Sequence, residues 1–138
     1  MVIGVGVDVV DVARLERALG RAGDRFVRRV FTPAEVARCG ARQDRTRCFA
    51  ARFAAKEAVM KALGCGWGPV GFRDIEIGHA PGGRPVVRLQ GAALRLAKEM
   101  GITDIHISLA HDGPVAIAYA LAEGSGLQDG SQRGGGSV

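Results

Sequence analysis

The chain has 138 residues, 47% of them hydrophobic, and a formal net charge of +5. This length and composition suffice for one domain with a core and exclude a wholly disordered protein. No apolar run reaches about eighteen residues, and no basic, signal-like segment opens the chain, so we expect a soluble cytoplasmic protein with no membrane partner. The positive charge indicates acidic partners without identifying them.

The N-terminal segment Met1–Val10 predicts a strand buried on both faces, because it is short, apolar and rich in β-branched residues. Asp8 interrupts this run. An isolated charge inside a buried strand is costly unless it is paired. A capping role for Asp8 is the plainer alternative, but Val9 and Val10 continue the apolar pattern beyond it.

A basic helix is predicted after the first strand. Arg14, Arg17 and Arg21 stand at helical spacing, and Leu15 and Leu19 mark the opposite, packed side. Without other information, such a helix is usually a solvated charged face.

Two further helices are predicted next. Thr32–Glu35 forms a capping box with proline at the first helical position, which starts a short helix. A long alanine-rich helix then runs to Leu63 and stops at Gly64. Within it, Glu57 and Lys61 share one face. From this helix alone, a surface ion pair and a buried ionic site are about equally good interpretations.

The rest of the chain predicts strands around one more helix. The elements are strands over Phe72–Ile77 and Val86–Leu89, a helix over Ala92–Met100, and a hairpin of Ile105–His111 with Val115–Ala122. The order β-α-α-α-β-β-α-β-β predicts an α+β fold with helices packed on an antiparallel sheet. We therefore divide the chain into a folded domain of residues 1–123 and a disordered, dispensable Gly/Ser-rich tail of residues 124–138.

The cysteines give no sign of a disulfide framework. Cys39, Cys48 and Cys65 are odd in number and form no Cys-x-x-Cys pair, so we expect them to be reduced. The three histidines lack the spacing of a zinc site, so we expect no structural metal.

Asp8 and Glu57 together suggest a site for a hard divalent cation. Mg²⁺ commonly takes one or two protein carboxylates and fills its other positions with water and substrate phosphate. Lys56 and Lys61 lie in the same helix as Glu57 and would neutralise further phosphate charge.

Two motifs resemble the signatures of the holo-acyl-carrier-protein synthases, the small 4′-phosphopantetheinyl transferases. They are Gly6–Arg14 and Phe53–Gly64, supported by Asp74–Ile77, Gly83–Pro85 and Ile107–Asp112. The resemblance spans roughly residues 1–123 in the family's order and spacing, so the two motifs together are a strong signal. One departure is Ala110, where the family usually has serine before the histidine.

The resemblance implies a reaction. The 4′-phosphopantetheine group passes from coenzyme A to a serine of an apo acyl carrier protein, and 3′,5′-ADP leaves. Asp8 and Glu57 would hold Mg²⁺, with Mn²⁺ as an alternative, and Lys61 would complete the catalytic set. The proton acceptor, Glu57 or a water that it orients, stays open. So does the carrier, which belongs to fatty acid, polyketide or peptide synthesis.

The resemblance also implies binding residues and an assembly. Coenzyme A would contact Arg52, Lys56, Gly64, Arg84, Pro85 and His111. The acidic carrier would dock on Arg14, Arg21 and Phe26. Because family members are typically trimers with sites at subunit interfaces, we expect a homotrimer in which His111 reaches the site from a neighbouring subunit.

Two other functions stay open. A small basic nucleic-acid-binding protein would explain the charge, but aromatic residues are few and no binding motif is present, so nucleic acid is not expected as a partner. A catalytically silent relative acting as an interaction module is the second alternative. The retained Asp8, Glu57 and Lys61 argue against it.

Overall fold

The structure is a computed structural model that describes residues 1–66 and 68–125, with only the backbone of Ala22. Its elements are β1 (Val2–Asp11), α1 (Val12–Val30), α2 (Pro33–Gly40), α3 (Arg45–Ala62), β2 (Ile75–His79), β3 (Pro85–Leu89), α4 (Gly91–Glu99), β4 (Ile102–Asp112) and β5 (Val115–Gly124). The predicted order is confirmed. A 3₁₀ turn, Phe72–Asp74, replaces the predicted beginning of β2. Apart from its first two residues, the predicted tail lies outside the described residues.

The strands form two antiparallel sheets rather than one. The larger has the order β1-β5-β4, and the smaller pairs β2 with β3. Ala118 of the central strand β5 lies opposite Asp8 on one side and Leu109 on the other. The α+β class with antiparallel strands is thus confirmed. Among the described residues, no helix is both long and apolar enough to span a membrane.

Helix α3 packs on the larger sheet through small residues. The buried alanines at this contact are Ala54, Ala55, Ala58 and Ala62 of α3 and Ala116, Ala118, Ala120 and Ala122 of β5. A Cβ added at Gly6 would lie 2.0 Å from the carbonyl oxygen of Ala58, and one at Gly4 would lie equally close to that of Ala62. The helix backbone therefore rests directly on β1, which brings the side chains of α3 close to Asp8.

Gly6→Ala is expected to lower the free energy of unfolding by about 1–3 kcal/mol, because two backbones must separate to admit the methyl group. Urea denaturation measures this change. Gly20→Ala is the control, since nothing lies within 4 Å of a Cβ built there. Because Gly20 lies inside α1, where alanine is the better helix former, Gly20→Ala should raise the free energy of unfolding by about 0.5–1 kcal/mol. Equal stability of the two variants would refute the close contact.

Strand β1 is buried on one face only, so the prediction of burial on both faces is wrong. Val5, Val7 and Val9 are 51%, 50% and 58% exposed, and Tyr119, which pairs with Val7, is 45% exposed. These side chains point away from α3, because residues alternate between faces along a strand. A valine-rich strand has the same pattern whether or not its second face is covered within the chain.

The N-terminal helices follow their sequence signals. Asp11 caps α1 by accepting a hydrogen bond from the Ala13 amide at 3.0 Å. Leu15 and Leu19 are buried, as predicted, and the arginines of α1 are exposed. The capping box of α2 is confirmed, with Thr32 as its N-cap.

A disulfide joins α2 to α3. It links Cys39 with Cys48, nine residues later, so the prediction that these two cysteines are reduced is wrong. Both are buried, at 0% and 7% exposure, while Cys65 is free. The pairing depends on the turn between the helices, which the spacing of the cysteines alone does not reveal.

Candidate active site

Asp8 is held at the contact between β1 and α3. Its Oδ1 accepts a hydrogen bond from Lys61 Nζ at 3.2 Å, and the same Nζ donates to the Val7 carbonyl at 2.9 Å. The other oxygen, Oδ2, is buried and has no hydrogen-bond partner among the described residues. A charged oxygen in that position is costly, and a bound cation would supply the missing contact.

Glu57 lies beside Asp8. Burial, followed by hydrogen bonding and repulsion from Asp8, raises the pKa of Glu57 to about 7, while Lys61 acts in the opposite direction. Two carboxylates that interact this strongly resist ionising together unless a cation joins them. The structure thus brings together the three predicted catalytic residues.

The donor set fits a hard divalent cation. In residues 1–66 and 68–125, no cluster of three or more His, Cys, Asp or Glu side chains is arranged to hold a metal. A zinc site needs three or four such ligands, whereas Mg²⁺ binds through one or two carboxylates and keeps water or phosphate oxygens elsewhere. The unpartnered Oδ2 of Asp8 and the neighbouring Glu57 meet that smaller requirement.

Lys56 takes no part in this site. Its Nζ lies 2.8 Å from Glu35 Oε1, and both side chains are fully buried. The ammonium also donates to the carbonyls of Phe72, at 2.9 Å, and Ile75. Burial lowers the pKa of Lys56, and Glu35 opposes that shift. Since its donors are used inside the core, the predicted role of Lys56 as a phosphate ligand is wrong.

Glu35 is the residue that the sequence reasoning missed. The sequence pattern predicts only its capping-box role, in which Oε1 accepts a hydrogen bond from the Thr32 amide at 2.9 Å. Its Oε2 also accepts the Ile77 amide at 2.6 Å. Through these bonds and Lys56, Glu35 ties α2 to α3 and β2. The available signal was a lysine in an apolar helix that needed a buried partner.

A cavity of 450 Å³, here named the arginine cavity, lies beside α2, α3 and β4. It is lined by four of the six predicted coenzyme-binding residues, Arg52, Arg84, Pro85 and His111. It is also lined by the cations Arg38, Arg42 and Arg47 and by His79, which were not predicted. Burial and the surrounding arginines lower the pKa of His79. Although Asp44 pairs with Arg42 at 2.7 Å, the excess of cations favours a ligand with several negative charges.

Arg52 is a buried arginine of the arginine cavity, at 4% exposure. One terminal nitrogen donates to the carbonyl oxygen and Sγ of Cys48, each at 3.2 Å, and the other contacts His79 Nδ1 at 3.3 Å. Burial lowers the pKa of Arg52. Its Nε is buried with no hydrogen-bond partner in the described part of the chain, which leaves a donor for an anion.

Gly64 has a plain backbone role. It lies in the turn after α3 with φ +72, a conformation that favours glycine, and its amide donates to the Lys61 carbonyl at 3.0 Å. Its contact with coenzyme A stays a prediction.

Two of the three predicted docking residues lie next to Glu57. Arg14 and Phe26 line a cavity of 320 Å³, to which Glu57 and Phe53 also contribute. Phe26 is half-buried, with its ring 6.1 Å from that of Phe53, so it presents only part of its surface. Arg21 is exposed further along α1.

Comparison with known proteins gives one consistent family. The model of the 4′-phosphopantetheinyl transferase superfamily matches residues 4–120. The holo-[acyl-carrier-protein] synthase of Desulforudis audaxviator is 51% identical over 124 residues, covering 90% of this chain and 95% of that protein. That of Moorella thermoacetica is 50% identical over 125 residues, covering 91% and 97%.

Solved structures agree with this comparison. The Neisseria meningitidis holo-[acyl-carrier-protein] synthase superposes with a TM-score of 0.83 at 35% identity, covering 89% of this chain and 99% of that one. The Helicobacter pylori enzyme in complex with coenzyme A gives 0.77 at 32% identity, covering 86% and 99%. The chain therefore belongs to the 4′-phosphopantetheinyl transferase superfamily, among the holo-[acyl-carrier-protein] synthases.

Proposed function

We propose that this enzyme transfers 4′-phosphopantetheine from coenzyme A to a serine of an apo acyl carrier protein and releases 3′,5′-ADP. The observation that carries the proposal is the meeting of Asp8, Glu57 and Lys61 at the contact of β1 with α3. Acidic carriers of fatty acid or polyketide synthesis are the acceptors. The cytoplasmic location stays a prediction.

Mg²⁺, or Mn²⁺ in its place, would neutralise charge on the pyrophosphate and on the leaving group. Asp8 and Glu57 supply its oxygen ligands, and Lys61 adds a positive charge 3.2 Å from Asp8. Glu57, or a water that it orients, would accept the serine proton, since a general base must lie within hydrogen-bond reach of that proton. Positioning and charge neutralisation account for most of the rate in such transfers.

The arginine cavity suits the nucleotide end of coenzyme A, which carries a 3′-phosphate and a pyrophosphate. Arg52 offers an unused Nε, and Arg84 and His111 line the same cavity. Related enzymes were solved with this ligand, in the Helicobacter pylori complex with coenzyme A and the Bacillus anthracis complex described as coenzyme A (3′,5′-ADP). The charge of the cavity and these relationships support a nucleotide-binding role for it.

A homotrimer would allow one coenzyme A molecule to contact both the arginine cavity and the carboxylates Asp8 and Glu57. Arg52 and Glu57 are five residues apart on α3, which at 3.6 residues per turn separates them by about 140° around the helix. Arg52 therefore leaves α3 on a different side from Glu57, and no residue lines both the arginine cavity and the cavity beside Glu57. In our proposal the arginine cavity faces the carboxylates of a neighbouring subunit.

The same assembly would cover the exposed sheet face of Val5, Val7, Val9 and Tyr119, a continuous apolar patch of the kind that marks an interface. Light scattering of purified protein should give three times the chain mass. Val7→Glu should reduce that mass and the activity together. A fully active monomer would contradict the shared site.

The central test is the intact mass of an apo acyl carrier protein after incubation with the enzyme, coenzyme A and Mg²⁺. We expect a gain of one phosphopantetheine group, lost when EDTA removes the metal. If several carriers show no gain, the chain is a silent relative that acts as an interaction module. A gain that survives metal removal would reject the role of the carboxylate pair.

Arg14→Glu is expected to raise KM for the carrier by about tenfold or more and to leave KM for coenzyme A unchanged, because it reverses a charge beside Glu57 that faces an acidic partner. Steady-state kinetics with each substrate varied in turn measures both constants. Arg95→Glu, an exposed change on α4, is the charge-matched control. Equal effects on both constants would exclude docking at Arg14.

A further inference from the structure

The Cys39–Cys48 disulfide lies at the wall of the arginine cavity. Cys48 lines this cavity, and its Sγ accepts a hydrogen bond from Arg52 at 3.2 Å. Three more lining arginines are close to the bonded cysteines in sequence. Arg38 directly precedes Cys39, and Arg42 and Arg47 lie between Cys39 and Cys48. Four of the five arginines in the cavity therefore lie within four residues of one of the bonded cysteines or between them.

The helices on either side are tied through Glu35 and Lys56, but little besides the disulfide restrains the turn between them. Residues 40–45 are exposed. The Arg42–Asp44 ion pair is about half exposed, and pairs of that kind contribute little. The Arg42 amide donates to Cys39 at 3.1 Å and the Cys48 amide to Asp44 at 3.0 Å, so the remaining bonds close short turns. The disulfide is therefore the covalent restraint on the turn that carries Arg42 and lies between Arg38 and Arg47.

Building on the proposed function, we propose that the Cys39–Cys48 disulfide positions the cationic wall for the nucleotide of the donor, and that its reduction weakens donor binding. The oxidised enzyme has a preorganised site, and the reduced enzyme must order the segment when the ligand binds. Disulfides of proteins in reducing compartments are commonly redox-sensing rather than structural, which agrees with a bond at a binding site.

The chemistry is an ordinary exchange with an external dithiol. A thiolate of the dithiol attacks one sulfur, the protein disulfide breaks, and a second attack closes the dithiol into its own disulfide. Two electrons and two protons pass to the protein, leaving Cys39 and Cys48 as thiols. By linkage, a ligand that prefers the oxidised protein must make the disulfide harder to reduce.

The experiment measures the reduction midpoint of the full chain in dithiothreitol redox buffers, with and without saturating 3′,5′-ADP, which has no thiol of its own. Thiol labelling followed by intact mass gives the reduced fraction. If 3′,5′-ADP binds the oxidised protein fivefold more tightly than the reduced protein, the low end of typical coupling, we expect the midpoint reduction potential of the disulfide to fall by about 20 mV. Calorimetry measures 3′,5′-ADP affinity for the oxidised protein separately.

The outcomes separate this inference from the proposed function. Binding of 3′,5′-ADP without a midpoint shift overturns the positioning role and leaves the donor site standing. No binding at all overturns both. The inference is also overturned if Cys39 and Cys48 remain thiols in oxidised dithiothreitol.

Variants provide a second measurement. Cys39→Ala with Cys48→Ala should bind 3′,5′-ADP at least about fivefold more weakly than the oxidised protein, matching the reduced wild type. KM for coenzyme A should rise by the same factor while KM for the carrier stays constant, a split that general loss of structure would not produce. Cys65→Ser, which removes the free cysteine, should retain the full midpoint shift. A double variant with wild-type affinity would contradict the inference.

Discussion

Asp8→Asn and Glu57→Gln should each lower turnover by at least about 100-fold while the fold stays intact. Each change removes one charged oxygen ligand from the pair that receives the metal. Oδ2 of Asp8 is buried without a hydrogen-bond partner among the described residues, so the neutral Asn should be tolerated there even though the contact with Lys61 weakens. The carrier mass assay over a range of Mg²⁺ concentrations measures the loss, and circular dichroism checks the fold.

Glu99→Gln is the matched control for this prediction, because Glu99 is an exposed carboxylate at the end of α4. It should have wild-type turnover. Substantial Mg²⁺-dependent activity in Asp8→Asn or Glu57→Gln would remove that residue from the ligand set.

Glu35→Gln and Lys56→Met should each lower the free energy of unfolding by about 3–5 kcal/mol, because each leaves one buried charge without its partner. The double variant should lose less than the sum of the single changes, since no buried charge remains. Urea unfolding of the four proteins forms a double-mutant cycle that measures the coupling.

The same variants separate a structural lysine from a phosphate ligand. If Lys56 only supports the fold, the Lys56→Met protein that remains folded should keep its KM for coenzyme A. A large rise in that constant with unchanged stability would restore the phosphate role that its burial now contradicts. Lys61→Met is the comparison, because Lys61 is exposed beside Asp8. This replacement should lower activity without a comparable loss of stability.

Much of the fold could be predicted because turns, caps and periodicity are local signals. The capping box at Thr32 and the glycine after α3 are examples, and both hold in the structure. The exposed face of β1 could not be predicted, since Val5, Val7 and Val9 give the same pattern whatever covers them. The division into two sheets depends on long-range pairing that no local signal records.

The candidate site, too, could be predicted only in part from the sequence. Asp8 and Glu57 could be identified because a carboxylate inside an apolar segment needs a partner. Lys56 met the same test, but its partner was Glu35 rather than a ligand, and sequence spacing does not say which side of a helix faces the core. Arg38, Arg42 and Arg47 could not be assigned to a site, since exposed arginines near a turn give no sign of a shared cavity.

The central position of β5 in the larger sheet has a consequence for biosynthesis. β1 is made before the other described strands, yet its backbone partner is β5, more than a hundred residues later. A nascent chain therefore carries β1 unpaired until Val115–Gly124 leaves the ribosome, and folding of such long-range topology is slow. Asp8 reaches its final position only after that step. A messenger truncated before β5 would yield a chain in which both β1 and β4 lack their partner in the larger sheet, and chaperones or proteases would have to remove it.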